Sequence, residues 1–338
     1  MKSICIFLLE MFFLVPLYTI SISCSVLKTE AGSKDKNNRK IAGNTGMTEE
    51  QLFGYVLQAE MQGCESLTGK GYTDIHEYMR SLGWDYSEHP NSSDKDHKDG
   101  VHCEVVYDKI LKQYVFKFTN HVNPGVLDGD RGKMEDRQRN EMKSQTTAAW
   151  YKMNGNWDER QILEWKFFIP KGFQPSSNFC HIHQLKAQEG GNNGSPLITI
   201  TPRSDVDGAN KRIQVIHTGD VRSTSKGVLI DSLPLSDFED QWVQVRTEMH
   251  YTHHGSFCIE MIRISDGKVL INKSFSDIDL WRKGAVNIRN KFGIYRSFGR
   301  KMEYNMDRPS NGIKDEVLLL GDFKVYETNT NENPRPHN

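Results

Sequence analysis

From about His102 onward the chain is written in short apolar and polar alternations: "HCEVVYD", "YVFKFTNHV", "ILEWKFFIP", "FCHIHQLKA", "PLITITPR", "RIQVIHTG", "WVQVRTEMHYT", "SFCIEMIRIS", "KVLINKSF", "NKFGIYR" and "VLLLGDFKVYE". Gly, Asp, Asn and Pro separate the runs. Strand side chains alternate between two faces, so each run predicts a strand with one buried face. Roughly ten such strands with no helix between them predict antiparallel sheets packed as a β-sandwich or jelly roll.

Two stretches upstream break that rhythm. "TEEQLFGYVLQAEMQGCESL" opens on Thr48 with Glu49 and Glu50 behind it and carries Leu52, Val56, Leu57 and Met61 at helical spacing. That predicts a helix, and "DIHEYMRSLG" predicts a second. The first residues, "MKSICIFLLEMFFLVPLYTISISC", read as a secretory signal over residues 1–23. Ser21, Ile22 and Ser23 before Cys24 resemble a loosely written bacterial lipobox, which makes Cys24 a candidate lipidation site. Glu10 and Ser21 depart from that pattern, and cleavage by an ordinary signal peptidase is the other reading. Residues 24–46 form a polar linker, residues 47–328 the β-rich domain and residues 329–338 a fraying tail. The expected location is outside the cytoplasm, at a bacterial cell surface or in the periplasm as a lipoprotein.

With 338 residues and 10% aromatics, the chain has ample material for a large core. A formal net charge of -1 excludes a generally basic nucleic-acid coat protein. The segment from Trp281 to Lys301 nevertheless carries seven Lys/Arg and no acid, which predicts a local cationic groove. Beyond the leader, Cys64, Cys103, Cys180 and Cys258 show no zinc spacing. Export permits disulfides, while the apolar settings of Cys180 and Cys258 equally suit buried thiols.

Three strand-like segments carry polar residues at alternate positions. In "DRQRNEMK", Arg139, Glu141 and Lys143 share a face; in "FCHIHQLKA", His181 and His183 do; in "NIRNKFGIYRSFGRK", Lys291 and Tyr295 flank Gly293. Taken singly, the first is an ordinary solvated face, the second has the spacing of a metal-site fragment but no third ligand at a suggestive spacing, and Tyr295 is an edge-of-core tyrosine. His250, His253 and His254 in "HYTHHG" belong to a turn, and "SDVDGANK" resembles part of a calcium loop but reads better as an Asp-Gly turn. Of the tryptophans, Trp165 and Trp242 look like core, and Trp157 and Trp281 are candidates for stacking sugars.

Together, Arg139-Asn140-Glu141-Met142-Lys143, His181-Ile182-His183 and Lys291-Phe292-Gly293-Ile294-Tyr295 resemble, in order, the signature strands of jelly-roll polysaccharide lyases. The alginate lyases of family seven carry Arg-x-Glu-Leu-Arg, Gln-Ile-His and Lys-x-Gly-(Val/Ile)-Tyr, and "KFGIYR" is similar to a strand of heparin lyase I. His181 stands where the alginate lyases have glutamine, and Lys143 where they have arginine. The resemblance spans residues 100–328 and implies β-elimination beside a uronic acid carboxylate. On it, Arg139 and His181 hold the carboxylate, His183 is the base and Tyr295 the acid. Lys143, Glu141, Lys291, Arg296 and Arg203 bind neighbouring groups, and Gly293 lets a sugar ring lie close to the sheet.

The expected substrate is an acidic polysaccharide, a glycosaminoglycan ahead of glucuronan or alginate. Elimination requires no organic cofactor, and a structural calcium ion is compatible with the sequence. The chain is expected to act as a monomer, without nucleic acid, and to meet membrane only through a lipid anchor. The competing classes are a non-catalytic glycan-binding lipoprotein and a glycoside hydrolase, which would need two catalytic carboxylates across a cleft.

Overall fold

The computed structural model describes residues 55–90, 102–123, 126–127, 137–297 and 313–328. The leader, Cys24, the polar linker and the tail lie outside those residues.

In chain order the first elements are β1 (Tyr55–Met61), α1 (Tyr72–Ser81), β2 (Trp84–Glu88), β3 (Cys103–Asp108) and β4 (Gln113–Asn120). A two-residue pair, β5 (Val122–Asn123) and β6 (Val126–Leu127), precedes β7 (Arg137–Ser144), β8 (Arg160–Phe168) and β9 (Cys180–Gln188). Next come β10 (Ile198–Arg203), β11 (Arg212–His217), β12 (Gly227–Pro234) and β13 (Trp242–His250). The last strands are β14 (Gly255–Arg263), β15 (Val269–Ile278), β16 (Asn287–Ser297) and β17 (Glu316–Thr328).

Two antiparallel sheets result. One runs β15-β14-β13-β8-β17-β4-β3, with β1 also on β17; the other runs β12-β11-β10-β9-β16-β7-β2. The chain is therefore mostly β, a jelly-roll sandwich, as its alternating pattern predicts. Between the sheets the rings of Trp84, Trp165 and Phe323 crowd around Phe292, at centroid distances of 5.6, 5.1 and 5.0 Å. Truncating such a fully buried aromatic to alanine typically costs about 3–5 kcal/mol, so this cluster anchors β16 against the opposite sheet.

Of the helix expected from Thr48 onward, residues 48–54 lie outside the described residues, and the part over Val56, Leu57 and Met61 is instead strand β1, paired antiparallel with β17 from Tyr55↔Thr328 to Met61↔Phe323. Here pairing overrides helical spacing. Ala59 and Met61, two apart, are the buried residues, while Val56 and Leu57 stay exposed. The second helix is present as α1, burying Ile75 and Met79 one turn apart, with Asp74 in its first turn and Arg80 in its last, where both oppose the helix dipole.

Trp165, Trp242 and Trp281 are buried, so Trp281 does not offer a stacking platform. Trp157 packs against Trp281 and His253. The histidines of the β13–β14 turn point to separate carboxylates: His250 to Asp158, His253 to Asp279 and His254 to Asp277. In "SDVDGANK" the Gly208 N–H closes a turn on the Asp205 carbonyl at 2.9 Å, and Arg212 donates to the Asp205 carboxylate. Cys64, Cys180 and Cys258 are free thiols, and burial pushes the Cys180 thiol up to about 12.

Candidate active site

Strands β7, β16 and β9 lie side by side in the second sheet and carry the three motif segments. Pairing of β7 with β16 is regular, setting Lys291 opposite Lys143, Gly293 opposite Glu141 and Tyr295 opposite Arg139. These pairs share the outward face of the sheet. Phe292 and Ile294 turn inward, as the alternation requires.

That face is recessed rather than open. Lys291 and Glu141 are buried at its floor, while Arg139, Lys143, His181, Lys186 and Arg289 are partly exposed around them. Lys291 meets the Glu141 carboxylate at 2.9 Å, and Gln184 donates to the other Glu141 oxygen. Glu141 therefore orients Lys291 and Gln184 from beneath.

The Arg139 guanidinium covers the Tyr295 ring at 4.2 Å, and Arg137 Nη1 donates to the Tyr295 hydroxyl oxygen at 3.1 Å. With that oxygen accepting from Arg137, its own proton is available to another acceptor. Phe179 and His181 stand at 5.0 and 5.9 Å from the same ring. His181 shares a hydrogen bond between Nδ1 and Thr201 Oγ1 at 2.7 Å, which leaves Nε2 for a further partner. Burial, together with Arg203, Lys291, Lys186 and Arg139, pushes its imidazole down to about 3. The imidazole is therefore neutral at neutral pH and keeps one ring nitrogen without a proton.

His183 is elsewhere. Three steps along β16, from Phe292 to Tyr295, match two along β9, from His183 to His181, and this irregularity sends the two histidines to opposite faces. His183 lies fully buried between the sheets, stacked on Phe292 at 4.7 Å and beside Trp165 at 5.5 Å. The expectation that it shares a face with His181 fails for that reason. Burial pushes its imidazole down to about 3, an effect that the facing Asn290 side chain only partly offsets.

The folded state keeps His183 neutral, whereas the unfolded chain protonates it near pH 6.5. Its contribution is thus intact above pH 6.5 and lost as pH falls toward 3, by up to about 1.4 kcal/mol per pH unit. His183→Leu should lose about 2 kcal/mol less than the parent between pH 7 and pH 5, read from urea midpoints. Parallel curves would place the ring in contact with solvent.

Arg296 also turns inward, contrary to its expected place among the substrate-binding cations. It is fully buried, with Nε on the Gln138 side chain at 2.7 Å and Nη2 on the Lys314 carbonyl at 2.8 Å. Arg203 is half-buried at the end of β10 and close enough to His181 to act on its charge. Gly293, with φ 141°, is required by the backbone: a Cβ there would sit 2.0 Å from the Asn140 carbonyl oxygen and 2.8 Å from Glu141 Cα. Its role is close strand packing, not room for a sugar.

Five residues of the face escape a reading by motif, among them Arg289, two positions before Lys291 on β16. Arg137 lies two positions before Arg139, so alternation within "DRQRNEMK" carried a signal for it. Gln184 and Lys186 follow His183, but only the break in alternation places them outward. Glu88 has no local signal. A second irregularity, where Asp85↔Lys143 is followed by Glu88↔Glu141, turns its carboxylate onto the face. There it accepts from Arg139 at 3.1 Å, Lys143 at 3.0 Å and Lys291 at 2.5 Å. Burial opposes its charge, yet Lys291, Lys143 and Arg139 together hold it well below the usual carboxylate range.

The second sheet thus carries a recessed face of cations, a phenol and a neutral imidazole. No family model matches the sequence, and no curated protein matches it. Among solved structures, the endo-beta-1,4-glucuronan lyase of the fungus Trichoderma reesei is similar at 15% identity and a TM-score of 0.45, over 66% of this chain and 85% of that one. Alginate lyase Aly36B is similar at 8% identity and 0.46, over 80% and 96%. Alginate lyase vAL-1 from Chlorella virus is similar at 10% identity and 0.41, over 75% and 96%. Each of these likenesses is one of fold.

Proposed function

We propose that the protein is a lyase that cleaves an acidic, uronate-containing polysaccharide by β-elimination. One observation carries this reading: Tyr295, with Arg137 on its oxygen and Arg139 on its ring, shares a face with the neutral imidazole of His181. Elimination breaks the C–H bond beside the substrate carboxylate, and those electrons form a ring double bond as the glycosidic C–O bond breaks. The departing oxygen takes up a proton.

In this scheme Tyr295 gives the proton to the leaving oxygen, and His181 takes the ring proton, a role that the buried position of His183 leaves to it. Arg139 and Arg137 face the negative charge that grows on the carboxylate and the phenol oxygen; loss of one such donor typically costs about 100 to 1,000-fold in rate. Arg203, with Lys186 and Arg289 beside it, holds neighbouring acidic groups, while Lys143 and Lys291 stay paired with Glu88. Export, with attachment through Cys24, belongs to the same reading and rests on the leader pattern.

The test is ultraviolet absorbance of the unsaturated uronate product, with the protein lacking residues 1–23 offered glucuronan, alginate, hyaluronan, chondroitin sulfate and heparin. A rise is expected on at least one polymer. No rise on any, with binding retained in gel retardation, would make the protein a glycan-binding one.

A further inference from the structure

We propose that Glu88 is a specificity-determining residue, an internal counter-anion that fits the site to an unsulfated uronan such as glucuronan or alginate and against sulfated chains. The inference deepens the lyase reading and rests on it for the substrate class. Its basis is where charge is cancelled.

On the β7 and β2 side of the face, Arg139, Lys143 and Lys291 all converge on Glu88; Lys291 and Arg139 also meet Glu141 at 2.9 and 3.8 Å, and Lys143 meets Asp85 at 3.5 Å. Three cations there face three carboxylates. A polymer bearing sulfate esters as well as carboxylates would set its extra charge against Glu88, a fixed and buried anion. Like charges brought together in a desolvated site discriminate strongly against the more anionic ligand.

Across β16 and β9 the balance differs. Among the described residues Arg203, Arg289 and Lys186 form no ion pair; Lys186 donates to the Gly194 carbonyl at 2.7 Å, and Glu88 acts on Arg289 and Lys186 only across the face. Those cations can each receive one carboxylate of a chain with a single anion per sugar. The face therefore presents an uncancelled strip beside a cancelled patch, which suits regularly spaced carboxylates and leaves no cationic cluster for a dense sulfate group.

The experiment compares parent, Glu88→Gln and Asp85→Asn by affinity electrophoresis in gels containing heparin or glucuronan, with ultraviolet turnover on glucuronan and alginate alongside. Glu88→Gln is expected to tighten heparin binding at least about tenfold relative to glucuronan, since one opposing charge is removed at close range. Asp85→Asn, at a more exposed position, is expected to shift the same ratio about threefold and keeps the inference testable if the buried substitution prevents folding. An unchanged ratio in Asp85→Asn and in any folded Glu88→Gln overturns the role of Glu88, even where the parent cleaves an unsulfated uronan. A parent that cleaves no polymer sinks the lyase reading separately, because the binding ratio needs no turnover.

Discussion

Replacing Tyr295 by phenylalanine is expected to lower kcat by about 1,000-fold on whichever uronan the parent cleaves, with KM changed little, because the hydroxyl is assigned to proton transfer and not to holding the sugar. The ring itself should stay in place. Its packing against Arg139 and Phe179 needs no hydroxyl, and only the hydrogen bond from Arg137 is lost. Folding should therefore be unaffected, so a fall in turnover reports chemistry. Turnover within about threefold of the parent would remove Tyr295 from the reaction and leave it as a packing residue.

The second large effect concerns the backbone beneath the site. Gly293→Ala is expected to destabilise the fold by about 3 kcal/mol or more, since a Cβ meets the carbonyl of Asn140 in the adjacent strand and φ lies where side chains are strained. Gly191 is the control. A Cβ there meets nothing within 4 Å, and Gly191→Ala should stay within about 0.5 kcal/mol of the parent. Urea unfolding of both variants reads the difference directly. A Gly293→Ala protein as stable as the parent would mean that β16 and β7 are not paired as described.

How much of this was legible in the sequence divides along the sheet's own periodicity. Regular strands were readable, because period-two alternation is a local property: Phe292 and Ile294 go inward, and Lys291 and Tyr295 outward, as the pattern required. The irregular places were not. The offset between β16 and β9 separates His181 from His183, and the offset between β2 and β7 carries Glu88 onto the face, yet neither leaves a mark in either segment alone. Arg296 fails differently. It obeys alternation but lies on the inward side, where Gln138 and the Lys314 carbonyl satisfy it. The helix expected across Val56 and Met61 was lost to pairing with β17, a partner more than 250 residues away in sequence, which no local propensity can reveal.

The same geometry weighs against hydrolysis. A glycosidase needs one carboxyl group that keeps its proton until the leaving oxygen takes it. Glu88 is held ionised by Lys291, Lys143 and Arg139, the reverse of what an acid requires. Glu141 is committed to Lys291 and Gln184.

Mass spectrometry of the cleavage products tests the central claim most directly. Elimination adds no water, so the new non-reducing ends should each be one water lighter than hydrolysis would leave them, and His181→Ala should suppress their formation with Tyr295→Phe. Fragments carrying the full mass of added water would contradict the elimination chemistry and, with it, the roles given to Tyr295 and His181.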